Sequence, residues 1–178
     1  MRPIRVLLSI LLLLVPAMAL AHGPSRQKVD MSVDVNAPPA EVWAVIGNFQ
    51  DMSWLPAVFS TTGENGNEPE KATRVLTLGK EGGPQVHETL RKYDAEKMSY
   101  SYMITEVDPA VFPVTNYSST LSVAPNADGG SKITWKAGFY RGYPNNDPPE
   151  NMNDEAAMKA VTGLYELGLA ALAERFGK

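Results

Sequence analysis

The run Ala37-Pro38-Pro39-Ala40-Glu41-Val42-Trp43-Ala44-Val45-Ile46-Gly47-Asn48-Phe49, with Trp54-Leu55-Pro56-Ala57-Val58 close behind, decides how this chain reads. Two prolines open it. A proline in the first helical turn loses no hydrogen bond, because that amide has no intrahelical partner anyway. Val42, Trp43, Val45, Ile46 and Phe49 then recur at helical spacing, and Gly47-Asn48 weakens the helix end. Asp51 to Leu55 reads as a second short helix, stopped by Pro56. Before the prolines, Lys28 to Asn36 alternates, with Val29, Met31, Val33 and Val35 on one face, as a strand does.

After Pro56 the pattern turns to period two. Strands are predicted over Val58 to Glu64, Arg74 to Gly79, Val86 to Asp94, Met98 to Asp108, Thr115 to Ala124 and Lys132 to Tyr140. Asn65-Gly66-Asn67, Gly82-Gly83-Pro84, Asp94 to Lys97 and Asn126 to Gly130 supply the turns. Arg141 to Asn153 is rich in proline and asparagine and reads as an irregular loop. Asn153 or Asp154 then caps a long last helix, whose apolar stripe is Met158, Val161, Leu164, Tyr165, Gly168, Ala171, Leu172 and Phe176. The pattern reads as an α+β chain of seven strands, with two short helices after the first strand and a long C-terminal helix. The order resembles the helix-grip fold, which implies that the strands form one curved seven-stranded antiparallel sheet around that last helix.

The ends and the composition narrow the function classes. Arg2 and Arg5 precede an apolar run from Val6 to Val15, and Ala19-Leu20-Ala21 fits a small-x-small cleavage site. Residues 1–21 therefore read as a cleaved signal peptide, 22–27 as a short polar leader and 28–178 as a single domain in an exported, periplasmic protein. Removing Arg2 and Arg5 from the 16 basic residues leaves 14 against 20 acidic ones, a net charge of −6. That balance argues against nucleic acid as a partner. With no cysteine, thiol chemistry and thiolate metal sites are excluded. No second apolar stretch is expected to reach membrane-spanning length.

Alternation assigns the faces. Tyr117, Ser119, Leu121 and Val123 share one face, against polar Asn116, Ser118, Thr120 and Ser122 on the other. By the same rule Ile133, Trp135, Ala137 and Phe139 point inward, as do Met98, Tyr100, Tyr102 and Ile104, and Val86, Glu88 and Leu90. Glu88 is the one inward charge this reading finds. It is either a polar anchor or general acid or base in a ligand cavity, or a structural carboxylate tied to backbone or to Tyr100, Tyr102 or Tyr117. The inward aromatics are cavity wall in the first case and core in the second. Met158, Val161 and Tyr165 face them from the last helix. No catalytic constellation emerges: Ser118-Ser119 and His87 lack a nucleophile elbow. No metal or cofactor is expected. His22 and His87 are too few for a copper brace, and Asp147, Glu150, Asp154 and Glu155 lack calcium-loop spacing.

The residues Pro39, Val42-Trp43, Phe49, Trp54, Pro56, Glu88, Leu90, Tyr100-Ser101-Tyr102, Pro113-Val114, Tyr117, Ser119-Thr120-Leu121 and Trp135 resemble the polyketide cyclase/dehydrase branch of the START/Bet v 1-like (SRPBCC) superfamily. Within it, the export signal, the His-Gly-Pro start at His22 and the closing segment from Asn153 to Tyr165 resemble the MxaD group of periplasmic methanol-oxidation accessory proteins. The resemblance implies a ligand pocket lined by Glu88, Tyr102 and Tyr117, a gate loop at Lys80 to Gln85 and a neighbouring loop at Asp108 to Thr115. Thr61 and Thr62 stand where some relatives carry a basic residue, so a carboxylate ligand is not implied. For the group it implies a non-catalytic role, promoting electron transfer between methanol dehydrogenase and its cytochrome c. Tyr143 and Pro144, at a loop tip, are then the candidate partner contacts. The alternatives are a carrier of a small apolar ligand and a cyclase/dehydrase-type enzyme using Glu88.

Overall fold

The computed structural model describes residues 23–177. The signal-peptide reading falls outside them. Strand β1 (Gln27–Val35) is followed by helix α1 (Pro39–Ile46) and then by β2 (Val58–Glu64), β3 (Thr73–Leu78), β4 (Gln85–Asp94), β5 (Ser99–Val107), β6 (Val114–Pro125) and β7 (Ser131–Arg141). A 3-10 turn at Glu150–Met152 leads into helix α2 (Asp154–Phe176). The strands form one seven-stranded sheet in the order β1-β7-β6-β5-β4-β3-β2. Every pairing is antiparallel. The chain leaves β1 at one edge and re-enters at β2 on the other, so α1 and the Trp-x-Pro corner are the crossover.

The corner differs from expectation. Asp51 to Leu55 forms no second helix but two successive turns, Leu55 N–H to Met52 O at 2.9 Å and Val58 N–H to Leu55 O at 2.9 Å. The segment must put Met52, Trp54 and Leu55 all into the core, and Pro56 leaves no length for helical bonds to propagate. Gly47 ends α1 because the Trp43 ring lies over it: a Cβ there would sit 2.5 Å from Trp43 Cε2.

Helix α2 starts on Asn153, whose Oδ1 accepts from Ala156 N–H at 2.8 Å, with Asp154 and Glu155 in the favourable first turn. Its buried line is Ala157, Val161, Tyr165, Gly168, Leu169 and Leu172, while Met158, Leu164 and Phe176 are only half-buried. The stripe is thus rotated toward Ala157 and Leu169, which lie directly over the sheet. By length and composition α2 could also cross a membrane, contrary to expectation. Its apolar line is nevertheless packed into the core. Gly168 lets α2 approach closely, since a Cβ there would meet Trp135 Cζ3 at 2.8 Å and Leu55 Cδ1 at 2.9 Å.

Candidate functional site

The inner face of the sheet carries two polar systems. In the first, β3 and β4 place Arg74 directly opposite Glu88. Both are buried, and Arg74 Nε donates to Glu88 Oε2 at 2.5 Å. Arg74 Nη1 donates to Phe49 O at 2.7 Å, and the guanidinium lies over the rings of Phe49 and Tyr102 at 4.2 and 4.8 Å. Its Nη2 has no protein partner. Burial pushes the Glu88 carboxyl above its usual range, while the charge and hydrogen bond of Arg74 draw it part of the way back. Burial pulls Arg74 down, but Glu88 and the tyrosines Tyr100 and Tyr102 hold it above the usual arginine range.

Glu88 is therefore not the one inward charge. Nor is it tied to a tyrosine, as one expectation had it; its partner is Arg74. The signal was present in the alternation Arg74, Leu76, Leu78 of β3, which puts Arg74 on the face of Leu76. An arginine at a strand's first residues reads as a solvated end, and only the pairing of β3 with β4 shows otherwise. The basic residue absent at Thr61 and Thr62 thus has a counterpart inside the sheet, but its charge is committed to Glu88.

The second system is hydroxyl-based. Ser119 Oγ donates to Lys136 O at 2.8 Å, so it accepts from Tyr165 O–H at 2.8 Å, and Tyr165 in turn accepts from Tyr117 O–H at 2.8 Å. Trp135 Nε1–H points between Ser119 Oγ, at 3.0 Å, and Tyr102 Oη, at 3.1 Å. The Trp135 and Tyr165 rings stack with centroids 4.0 Å apart and planes 11° off parallel. Burial holds the phenols of Tyr102, Tyr117 and Tyr165 well above the usual tyrosine range, so they stay neutral.

Between these systems lies an apolar cavity of about 70 Å³. Glu88, Tyr102, Tyr117 and Trp135 line it, with Leu76, Val86, Phe112 and Leu164 among the apolar walls. Four of the nine residues expected around a cavity are thus brought together on it. Tyr100, Phe139, Val161 and Tyr165 are buried behind the wall, and Met158 is half-buried outside it. The loop Asp108 to Thr115 reaches the mouth through Phe112, whereas the expected gate at Lys80 to Gln85 contributes no lining residue. Sequence reasoning missed Phe112 and Leu164, since a loop residue and a helix flank carry no alternation to place them.

At the other end, Arg141 builds the proline-rich loop. Its Nε donates to Tyr143 O at 2.9 Å and its Nη2 to Asn145 O at 2.8 Å, while Nη1 lies 3.5 Å from Asp154 Oδ2. Tyr143 is half-buried and Pro144 exposed. Among the described residues no group of three or more His, Cys, Asp or Glu side chains is placed to hold a metal ion.

No curated protein matches the chain. Solved structures do. The protein XoxI from Bacillus cereus is 28% identical over 84% of this chain and 94% of its own, with a TM-score of 0.70. A putative uncharacterized protein from Bacillus thuringiensis is also 28% identical, over 85% of this chain and all (100%) of its own, with a TM-score of 0.70. A protein from Nitrosospira multiformis is 25% identical over 85% and 97%, with a TM-score of 0.66. The family described as polyketide cyclase / dehydrase and lipid transport matches residues 26–177. With the helix-grip sheet and the cavity over β2–β5, that match over nearly every described residue means that the chain belongs to the polyketide cyclase / dehydrase and lipid transport family.

Proposed function

We propose that this protein is a non-enzymatic binding module whose inner cavity takes a small, largely apolar ligand. The observation that carries the reading is the state of Glu88. It lines the cavity, yet Oε2 is held by Arg74, itself buried and committed to Phe49 O. A general acid or base must exchange its proton with a substrate, and a carboxylate locked to a permanent cation does so poorly. The neighbouring phenols are held neutral: Tyr117 donates to Tyr165 and Tyr165 to Ser119, while Tyr102 accepts from Trp135. One anchored acceptor in an apolar wall suits orientation of a ligand. Native mass spectrometry of protein purified from its own periplasm, followed by calorimetry with the co-purified compound, tests this. A bare mass in every preparation, together with no heat from any apolar compound offered, would refute it.

A second reading is that the module serves periplasmic methanol oxidation, contacting methanol dehydrogenase or its cytochrome c. Its support is the resemblance to the MxaD group and the loop that Arg141 holds in shape, which presents Tyr143 and Pro144 at a pre-formed surface. Tagged protein should recover one or both redox proteins from a methanol-grown periplasm. Recovery of neither ends this reading and leaves the cavity reading untouched.

A further inference from the structure

The sheet has a hole in it. β4 and β5 pair along their whole length, as far as Val86↔Val107. β5 and β6, by contrast, pair only from Ser99↔Ser122 to Met103↔Ser118. Beyond that point the ladder stops, and β6 carries a bulge between Thr115 and Ser118 with Asn116 at φ 48°. The two strands splay around an opening of about 480 Å³, closed at its far end by the loop through Pro109. Ile104 and Tyr117 line both this window and the inner cavity.

We propose that window and cavity form one bipartite site for a short amphiphile, its apolar tail lying in the cavity past Ile104 and Tyr117 and its hydrogen-bond-donating head held in the window. This rests on the cavity reading above and adds the ligand's class. Most side chains fixed at the two ends ask for a donor; only Asn116, at the exposed rim of the window, and Tyr102, whose oxygen accepts from Trp135, keep a donor of their own. Thr105 Oγ1 already donates to His87 O at 3.2 Å, and Thr115 Oγ1 to Arg141 O at 3.0 Å, so both hydroxyls face the window as acceptors. The carboxyl groups of Glu106 in the window and of Glu88, paired with Arg74, in the cavity add acceptor oxygens. Neither lining contains Lys or Arg. Strand backbone beyond the last β5–β6 pair adds both N–H and C=O groups with no ladder partner across the opening, so a head that also accepts, such as an alcohol, is served as well. An alcohol or ammonium head satisfies this set. A carboxylate or phosphate head fits less well, because it sets its charge against Glu106 with no Lys or Arg in either lining and brings no donor to the threonine oxygens.

The probes are n-butylamine, n-butanol and n-butyrate, added to the isotopically labelled protein and followed by amide NMR. Butylamine and butanol are expected to shift amides of 104–107 and 114–117 together with cavity residues. Butyrate is expected to bind about tenfold more weakly or worse, through like-charge repulsion. Ile104→Trp should block tail passage and abolish butylamine binding. Glu106→Lys changes only an exposed side chain, so it keeps the fold, and it should reverse the order of butylamine and butyrate. If the probes shift only cavity and mouth residues such as Phe112 and Leu164, and both variants bind like the parent, the window proposal is overturned and the cavity reading stands. If no probe binds at all, the cavity reading fails and takes the proposal with it.

Discussion

The two halves of the inner sheet face follow one alternation and end in opposite states. Under β1, β7 and β6, helix α2 lies close enough to stack Tyr165 on Trp135, and the hydroxyls of Tyr117, Tyr165 and Ser119 donate hydrogen bonds in series, ending on the carbonyl of Lys136. That half is packed closed, except where Tyr117, Trp135 and Leu164 reach the edge of the cavity. Over β2, β3 and β4 no comparable helix packing exists, and the same inward residues border the cavity. Burial of a side chain is thus decided by its strand, but whether its tip meets protein or space is decided by how far α2 reaches across the sheet.

The strongest blow to the sealed half is Trp135→Ala. It removes the ring that Tyr165 and Trp54 pack on and should cost about 3–5 kcal/mol in chemical denaturation. A near-neutral midpoint would mean the half is not held by that stack. In the open half the comparable change is Arg74→Met, which leaves the Glu88 carboxylate buried without its partner and should also cost about 3–5 kcal/mol near neutral pH. Its signature is pH. Burial already raises Glu88 in the folded state, and loss of Arg74 raises it further. A carboxyl raised by folding contributes stability fully present below its unfolded value, about 4.3, and lost as pH rises through the folded value. The Arg74→Met penalty should therefore shrink on acidification, as measured by urea midpoints along a pH series; a flat series would show that Glu88 reaches water.

Smaller changes sharpen the contrast in packing. Gly168→Ala puts a methyl against Trp135 and Leu55 in the sealed half and should cost about 1–3 kcal/mol, despite the better helix propensity of alanine. In the open half Val86→Ile adds the same carbon count to the cavity wall and should change stability by less than about 1 kcal/mol, in either direction. Equal penalties at the two sites would remove the distinction between the halves. Smallest of all, Tyr143→Ser at the loop tip should leave the thermal midpoint within about a degree or two, since an isolated surface change is worth about 0.5 kcal/mol. Under the redox-partner reading it should nonetheless weaken the stimulation of cytochrome c reduction.

The element order and the inward faces of β4 to β7 were legible in the chain, because period-two alternation, turn residues and the Pro38-Pro39 helix start are local signals. So was the cap of α2 at Asn153. The failures are non-local. The turns at Asp51 to Leu55 look helical until the core claims Met52, Trp54 and Leu55 together. Arg74 looks like a strand end until antiparallel register sets it opposite Glu88. Phe112 and Leu164 enter the cavity wall only through the packing of a loop and a helix flank. The window follows from where the β5–β6 ladder stops, which no single strand's pattern encodes. Local chemistry in the sequence determined which segments are strand or helix and which way their side chains point. Only the tertiary structure decided which charges meet, where the cavity closes and where the sheet opens, because each of these depends on the distance between groups far apart in the chain.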